Sequence, residues 1–354
     1  MAHAIKGRGA VSAPAGRFAK QETRLDPAYQ AEQSEVAPDT ILRAMQAGRI
    51  ISSNESPDVP FDRSINPYQG CEHGCIYCYA RPSHSYLDLS PGLDFETQIF
   101  YKPNAAERLL DAWQKPDYEC KPITIGANTD PYQPAEKSLE ITRQLLRLFH
   151  EFRHPVNIIT KSHLVSRDID LLADLAGDGL CSVAISIPTL SSDLKRIMEP
   201  RVPSGSARLS AVRELTAAGI PVSLLVAPII PAINDNEIEH ILEQAQAAGV
   251  RSARYIFLRL PSELGALFED WLGEHFPDRK KHVLSLIRQS HGGKTYDHRF
   301  GQRQSGSGPY AKMLGARFKS ACSRLGLNDE KYQQTLDCKQ FLHPGQRQLG
   351  LDFG

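Results

Sequence analysis

Between residues 122 and 258, short apolar runs alternate with longer amphipathic segments, and this alternation constrains the fold more than any other feature. The short runs have the length of strands, and the longer segments space their apolar residues as helices do. The predicted strands cover residues 122–126, 156–160, 182–187, 222–226 and 254–258, and the predicted helices cover residues 139–152, 167–176, 206–218 and 236–248. Repeated strand–helix units predict helices packed around a parallel sheet.

Three cysteines, Cys71, Cys75 and Cys78, precede this region with the spacing C-x3-C-x2-C. Thiolates this close together on a glycine-containing loop can converge on one soft metal centre. A zinc site needs a fourth ligand, which His73 or His84 could supply, whereas three cysteines alone suit an iron–sulfur cubane with one open iron. The spacing favours the cubane and leaves zinc, or a chance group of buried thiols, as alternatives.

The cysteine spacing, with Tyr77 just before the last cysteine, resembles the cluster loop of the radical S-adenosylmethionine (radical SAM) enzymes. The resemblance implies an α/β fold, an open partial (β/α)6 barrel whose first strand leads into the cysteine loop. It also implies a [4Fe-4S] cluster held by the three cysteines, with S-adenosylmethionine (SAM) chelated at the open iron. In that family one electron cleaves SAM to a 5′-deoxyadenosyl radical, which abstracts hydrogen from a substrate.

Polar residues follow several predicted strands, where parallel α/β folds place their ligand sites. The residues expected to bind SAM are Tyr77, Tyr79, Asn128, Asp130, Ser186, Glu199 and Arg201. By resemblance, Tyr77 lies against the adenine, in part shared with Tyr79. Arg201 can bind the methionyl carboxylate, with Glu199 orienting it. The alternatives are structural: Tyr77 packed beneath the loop, Asp130 forming a turn, and a Glu199–Arg201 pair at the barrel rim.

Four stretches extend the resemblance to the DNA-repair photolyase-like group, relatives of spore photoproduct lyase, over most of residues 60–325. They read N-P-Y-Q-G-C at 66–71, C-Y-A-R at 78–81, N-T-D-P-Y-Q-P at 128–134 and E-P-R at 199–201. The resemblance implies a lyase that reverses a thymine–thymine lesion in DNA. Spore photoproduct lyase uses an additional cysteine as hydrogen donor, and Cys338 in the polar tail is the candidate for that role here.

Other functions stay open at this point. The chain can instead be a radical SAM enzyme that modifies RNA, a peptide or a small metabolite. It can also be a non-catalytic iron–sulfur protein associated with DNA or a sliding clamp, or a zinc-binding structural module. Affinity for DNA, cleavage of SAM and metal analysis separate these alternatives.

The formal net charge is zero, but residues 279–349 carry 14 Lys and Arg against four Asp and Glu. A basic segment of this kind predicts a surface for a polyanion such as DNA, or else a solvated helical face. The predicted organisation is an extended N-terminal arm at 1–60 with one helix at 39–46, the barrel at 61–262, a basic helical extension at 263–340 and a flexible tail at 341–354.

Seven cysteines, grouped rather than spread, are too few for a disulfide scaffold and indicate a reducing compartment. No apolar run has the length of a membrane span, and no apolar signal region follows the first charges, so the cytoplasm is expected. A flavodoxin or ferredoxin is the expected electron donor. The peptide Q-L-G-L-D-F at 348–353 resembles the hexapeptide that docks bacterial proteins on the replication sliding clamp, with Leu351 and Phe353 in an apolar pocket.

Overall fold

The structure, a computed structural model, describes residues 5–18, 38–332 and 335–347. Its strands are β1 (Ile41–Ala44), β2 (Ile51–Ser53), β3 (Arg63–Ile65), β4 (Tyr68–Gln69), β5 (Gln98–Tyr101), β6 (Ile123–Ile125), β7 (Val156–Thr160), β8 (Cys181–Ser186), β9 (Val222–Ile229) and β10 (Ser252–Phe257). Its α-helices are α1 (Asp94–Thr97), α2 (Ala105–Trp113), α3 (Glu136–Leu139), α4 (Ile141–Glu151), α5 (Ile169–Gly177), α6 (Ser192–Met198), α7 (Gly205–Ala217), α8 (Ile238–Ala247), α9 (Leu264–His275), α10 (Lys280–Ser290), α11 (Gly308–Arg324) and α12 (Pro344–Arg347). Short 3-10 helices cover Arg81–Leu87, His163–Asp168, Asp235–Glu237, Glu330–Tyr332 and Cys338–Gln340.

One curved sheet has the strand order β10-β9-β8-β7-β6-β3-β2. Strands β3 and β6 to β10 run parallel to their neighbours, and β2 pairs antiparallel to β3 at one edge. Parallel neighbours need crossover connections, and the helices between successive strands provide them. Six parallel strands joined in this way confirm the predicted partial (β/α)6 barrel. We call the carboxyl edge of these six strands the barrel mouth.

The observed elements lie close to those predicted from the apolar pattern. Strand β7 has the predicted bounds, with Val156, Ile158 and Thr160 buried, whereas β9 runs three residues further than expected, to Ile229. Gly249 lies in the loop directly after α8 and has a φ of +109°. A Cβ at this position would lie 2.6 Å from Oγ1 of Thr216. Glycine is therefore required at this helix end.

The helix predicted at residues 39–46 is wrong, because Ile41–Ala44 form strand β1, which pairs parallel to β5. All four residues of β1 are exposed, so a helix here would have no packed apolar face. The edge of β5 instead offers unpaired backbone groups, and the pairing continues where the amide of Met45 donates to Tyr101 O at 2.8 Å. Strand β2, in the same predicted arm, joins the barrel sheet, so the barrel begins before residue 61.

The predicted basic extension is helical, and its helix α11 packs on α8 and β10. Part of its positive charge is neutralised within the fold: Arg317 pairs with Glu239 at 2.7 Å, and Arg324 pairs with Glu243 at 2.9 Å. Lys312 on the same helix is exposed. The charge count of this segment therefore overstates the positive surface that it presents.

The start of the predicted flexible tail packs against the barrel. The ring of Phe341 lies 5.7 Å from that of Trp113, and the amide of Leu342 donates to Phe152 O at 2.9 Å. The predicted clamp-binding peptide at 348–353 lies outside the described residues. Across the part of the chain that the structure describes, no helix combines the length and the apolar character needed to cross a bilayer.

Candidate functional site

The cysteine loop, defined as residues 71–78, leaves the barrel after β3 and β4, at the barrel mouth. The amide of Cys71 donates to Phe95 O at 2.9 Å, which fixes the start of the loop. Gly74 has a φ of +66°, and a Cβ there would lie 2.7 Å from Oε2 of Glu96. The tight turn that brings the thiols onto one loop therefore needs glycine at this position.

The thiols of the cysteine loop lie in a sheltered setting. Cys71 and Cys75 are each 7% exposed, and Cys78 is half-buried. Burial, reinforced by nearby acidic groups, raises the pKa of Cys71 and of Cys75 above the ordinary thiol range. Thiolates are the form that binds metal, so a positively charged centre is what would stabilise these groups in their ligand form.

This donor set fits an iron–sulfur cluster better than a zinc ion. His73 Nδ1 lies 3.3 Å from Asp130 Oδ2, and His84 Nε2 lies 2.9 Å from Gln98 O, so one ring nitrogen of each candidate zinc ligand already has a partner within the protein. Among the residues that the structure describes, no three His, Cys, Asp or Glu side chains converge closely enough to hold one ion. A cubane attaches each cysteine to a different iron, so it needs its sulfurs further apart than a single ion does.

A buried ion pair between Arg81 and Glu96 stabilises the cysteine loop from behind. Both side chains have no exposed area. The guanidinium of Arg81 donates through Nε to Cys75 O at 2.9 Å and through Nη1 to Gly92 O at 2.8 Å. These main-chain carbonyls accept from the guanidinium donors that do not contact Glu96. A buried ion pair is stable only when its remaining donors are hydrogen-bonded in this way. Sequence reasoning missed Glu96, which lies in the short helix α1 without a recognisable motif.

Residues 5–18, which we call the N-terminal strap, cross over the cysteine loop. The carboxylate of Glu96 accepts from the amide of Gly9 at 3.0 Å and from that of Ala10 at 2.8 Å. Gly9 lies so close to the loop that a Cβ on it would be 1.8 Å from Gly74 O. The strap therefore covers the loop through a backbone contact that only glycine allows.

Substitution of Gly9 by valine should detach the N-terminal strap. The new side chain overlaps the carbonyl of Gly74, and overlap of this kind costs about 1–3 kcal/mol. Since about 1.4 kcal/mol is a factor of ten in population, trypsin should cleave after Arg17 about tenfold faster than in the wild type. Limited proteolysis followed by mass spectrometry measures this rate.

The matched control is Gly48→Val, because nothing lies within 4 Å of a Cβ at Gly48. It should be cleaved at the wild-type rate. Equal cleavage of both variants and the wild type would show that the strap does not depend on the contact between Gly9 and Gly74.

Glu199 is fully buried beneath the cysteine loop, and its partner is Arg208 rather than Arg201. One carboxylate oxygen accepts from the hydroxyl of Tyr77 and lies 3.9 Å from Cys75 Sγ, while the other accepts from Arg208. Arg208 also donates to Ser186 O at 2.9 Å. Sequence reasoning missed Arg208, although a charged residue on the buried face of helix α7 was a signal that could have found it.

The expected pairing of Arg201 with Glu199 is therefore corrected. Arg201 lies 3.2 Å from Glu72 and donates to Thr40 Oγ1 at 3.1 Å, and it is about one-third exposed. The amide of Arg201 donates to His73 O, so the residue braces the outside of the cysteine loop. In this arrangement Arg201 links the loop to the segment that leads into β1.

The two tyrosines flanking Cys78 differ in setting. Tyr77 is 8% exposed and its hydroxyl is used by Glu199, which is the packed arrangement beneath the loop rather than an open face for adenine. Tyr79 is 42% exposed, and its hydroxyl donates to Ala127 O, just beyond β6. An exposed ring at the barrel mouth is available for stacking, so Tyr79 suits contact with a bound molecule better than Tyr77 does.

Asp130 organises the ends of β6 and β7. Its carboxylate accepts from Thr160 Oγ1 at 2.6 Å, from the amide of Lys161 at 2.8 Å and from the amide of Tyr132 at 2.9 Å. Burial opposes ionisation, but the neighbouring His73 and these hydrogen bonds outweigh it and lower the pKa of Asp130 to about 2. The carboxylate is thus ionised, and its hydrogen-bond acceptors are already used by the protein. This agrees with the structural alternative, in which Asp130 forms a turn.

The two remaining expected SAM ligands also lie at the barrel mouth. Ser186, at the end of β8, is buried, and its hydroxyl donates to Ala227 O at 3.1 Å. Asn128 follows β6, and its amide nitrogen in the main chain donates to Asn66 Oδ1 at 2.8 Å, which leaves its side chain exposed. The structure therefore gathers the expected ligands at one edge and leaves the side chains of Asn128 and Tyr79 accessible there.

Cys338, the expected hydrogen donor, lies at the opposite end of the barrel. Its neighbour Asp337 donates its amide to Gly179 O at 3.2 Å, just before β8 begins, and burial together with the neighbouring Cys338 raises the pKa of Cys120, which lies just before β6. These positions precede the strands, whereas the cysteine loop follows them. The expectation for Cys338 is therefore corrected, because the sequence segment 335–347 docks on the amino edge of the sheet.

Comparisons with known proteins agree with this architecture. A family model described as the radical SAM superfamily matches residues 65–245. The chain is 34% identical over 233 residues to an uncharacterized protein of Mycobacterium bovis, covering 65% of this chain and 68% of that one. It is 28% identical over 214 residues to an uncharacterized protein of Methanocaldococcus jannaschii, covering 60% and 76% of the two chains.

Among solved structures, spore photoproduct lyase complexed with dinucleoside spore photoproduct superposes with a TM-score of 0.58. The two chains are 16% identical, and the superposition covers 81% of this chain and 80% of the other. At that identity the likeness speaks for the fold alone. Taken with the family match and the three-cysteine loop at the mouth of a six-stranded partial barrel, it defines the class: the chain belongs to the radical SAM superfamily. Within that class its fold is similar to that of spore photoproduct lyase.

Proposed function

We propose that this radical SAM enzyme acts on damaged DNA, as a lyase that restores bases joined by a lesion. The observation that carries the proposal is the superposition on spore photoproduct lyase over 81% of the chain. That neighbour was solved with a dinucleoside lesion product bound. The motifs shared with the photolyase-like group, such as N-T-D-P-Y-Q-P at 128–134, support the same substrate class.

In this proposal Cys71, Cys75 and Cys78 hold a [4Fe-4S] cluster, and SAM binds beside it at the barrel mouth. When bound, these groups supply a 5′-deoxyadenosyl radical that abstracts hydrogen from the substrate. The protein's own residues hold the cysteine loop in place. The buried pair of Glu199 and Arg208 packs beneath the loop, and Arg81 donates a hydrogen bond to the loop carbonyl of Cys75. A rigid loop keeps the reacting groups in one geometry, which is the main demand on the protein here.

The N-terminal strap contributes by covering the cysteine loop on its outer side. Excluding water protects a reactive intermediate from side reactions. On the open side, Tyr79 and Asn128 are exposed at the mouth and are proposed to contact SAM or substrate. The proposal further includes a flavodoxin or ferredoxin as electron donor and the cytoplasm as the site of action.

The substrate is tested with an oligonucleotide that contains one spore photoproduct, incubated anaerobically with the reconstituted protein, SAM and a reductant. Liquid chromatography with mass spectrometry should detect the loss of the lesion and the return of two thymines. Cys75→Ala protein, prepared in the same way, should leave the lesion intact. If the wild type forms 5′-deoxyadenosine but leaves the lesion unchanged, the substrate proposal is wrong, and membership of the family is unaffected.

A further inference from the structure

Arg259 stands out among the arginines at the barrel mouth. It lies two residues beyond the end of β10, and its guanidinium carbon is 5.2 Å from the centre of the Tyr79 ring. A second ring, that of Tyr296, lies 6.0 Å from the same carbon. Tyr79 directly follows the last cysteine of the cysteine loop, so this cation is held beside the candidate active site.

The guanidinium of Arg259 has few polar contacts. Its Nε is buried without an acceptor, and Nη2 makes one long contact, 3.5 Å, with the hydroxyl of Tyr296. Within the described part of the chain, no carboxylate forms an ion pair with it. Glu263, four residues further along the chain, pairs with Arg17 at 3.5 Å through one carboxylate oxygen, and Asp297, next to Tyr296, pairs with Arg299 at 2.6 Å.

Two fully buried arginines of this fold do have an acidic partner. Arg81 pairs with Glu96, and Arg208 pairs with Glu199. A buried donor without an acceptor is costly, and a bound ligand is one way in which the missing acceptor is supplied. Arg259 therefore has the features of a cation whose counter-ion arrives with a bound molecule.

We propose that Arg259 binds a phosphodiester of the substrate strand next to the reacting base, an inference that rests on the proposed function. A guanidinium presents a planar fork of donors that matches two phosphate oxygens. The rings of Tyr79 and Tyr296 lie within cation–π distance of the guanidinium carbon, at 5.2 Å and 6.0 Å, and so favour a positive charge at this position. Tyr79, 42% exposed, adds an aromatic surface on which a base can stack, and stacking beside a cation is how proteins bind single strands.

The same guanidinium could instead meet the carboxylate of SAM, and the test separates the two anions. The probes are the dinucleotide TpT and its methylphosphonate analogue, which lacks the single phosphate charge. Their binding to the cluster-loaded protein is measured anaerobically by calorimetry for the wild type, Arg259→Gln and Arg254→Gln. Arg254 is the matched control, because it is an exposed arginine on β10, five residues before Arg259. Retention of SAM is measured in parallel by equilibrium dialysis.

The wild type and Arg254→Gln should bind TpT about tenfold more tightly than the neutral analogue, and Arg259→Gln should bind both alike. SAM should be retained equally by all three proteins. Undiminished preference for TpT in Arg259→Gln would overturn the inference and leave the proposed function standing, and so would a loss of SAM confined to Arg259→Gln. Failure of the wild type to bind either dinucleotide would overturn the inference, whereas the proposed function is decided separately by the assay with the lesion-containing oligonucleotide.

Discussion

Replacing Cys75 with alanine should reduce the iron and sulfide of the anaerobically reconstituted protein to background. The cysteine loop offers three thiols, and the nearby histidines each have one ring nitrogen held, by Asp130 and by a main-chain carbonyl. With one of three ligands missing, a cubane loses one of its attachment points to the protein. Metal analysis and the visible absorbance of the cluster measure the effect.

The control for this prediction is Cys338→Ser. Cys338 lies at the amino edge of the sheet, away from the cysteine loop, so its loss should leave the iron content unchanged. Full iron content in Cys75→Ala protein would mean that the cysteine loop is not the cluster site.

Replacing Glu199 with alanine should lower the free energy of unfolding by about 3–5 kcal/mol, because it leaves Arg208 buried without its partner. Both side chains have no exposed area, so water cannot take the place of the missing carboxylate. The substitution also leaves the buried hydroxyl of Tyr77 without its acceptor. Urea unfolding of the metal-free protein, followed by circular dichroism, measures the change.

Arg196→Ala serves as the control, because it removes an exposed ion pair that should contribute little to the free energy of unfolding. Arg196 and Asp193 are 74% and 87% exposed, and pairs of this kind contribute about 0–1 kcal/mol. Replacing Glu199 and Arg208 together by methionines should recover much of the loss, because no uncompensated charge stays buried. A loss of less than about 1 kcal/mol for Glu199→Ala would contradict the role assigned to the pair.

The fold was largely predictable because most of its strands and helices can be recognised from the local pattern of apolar residues. Strand β7 is a short, largely β-branched segment directly after Pro155, and the buried residues of α4 recur at helical spacing. The error at β1 has a physical cause: four exposed residues have no intrinsic preference that outweighs an available sheet edge. The strand conformation of these residues depends on pairing with β5, which lies more than fifty residues away in the sequence.

The cysteines of the candidate site were predictable because the local spacing C-x3-C-x2-C by itself indicates a metal centre. The partners of the site were not, since they come from distant parts of the chain. Glu96 reaches Gly9 across 87 residues, and nothing near Gly9 in the sequence reveals that it rests on Gly74. Likewise, the position of Cys338 depends on where the C-terminal segment docks, which a local pattern does not encode.

The central claim is that this chain cleaves SAM at a cluster held by its cysteine loop. The most direct test is to reconstitute the protein anaerobically with iron and sulfide, add SAM and a reductant, and measure 5′-deoxyadenosine by chromatography. We expect the wild type to form 5′-deoxyadenosine and Cys75→Ala protein to form none. A wild-type protein with a full complement of iron that yields no 5′-deoxyadenosine, with or without DNA, would contradict the claim.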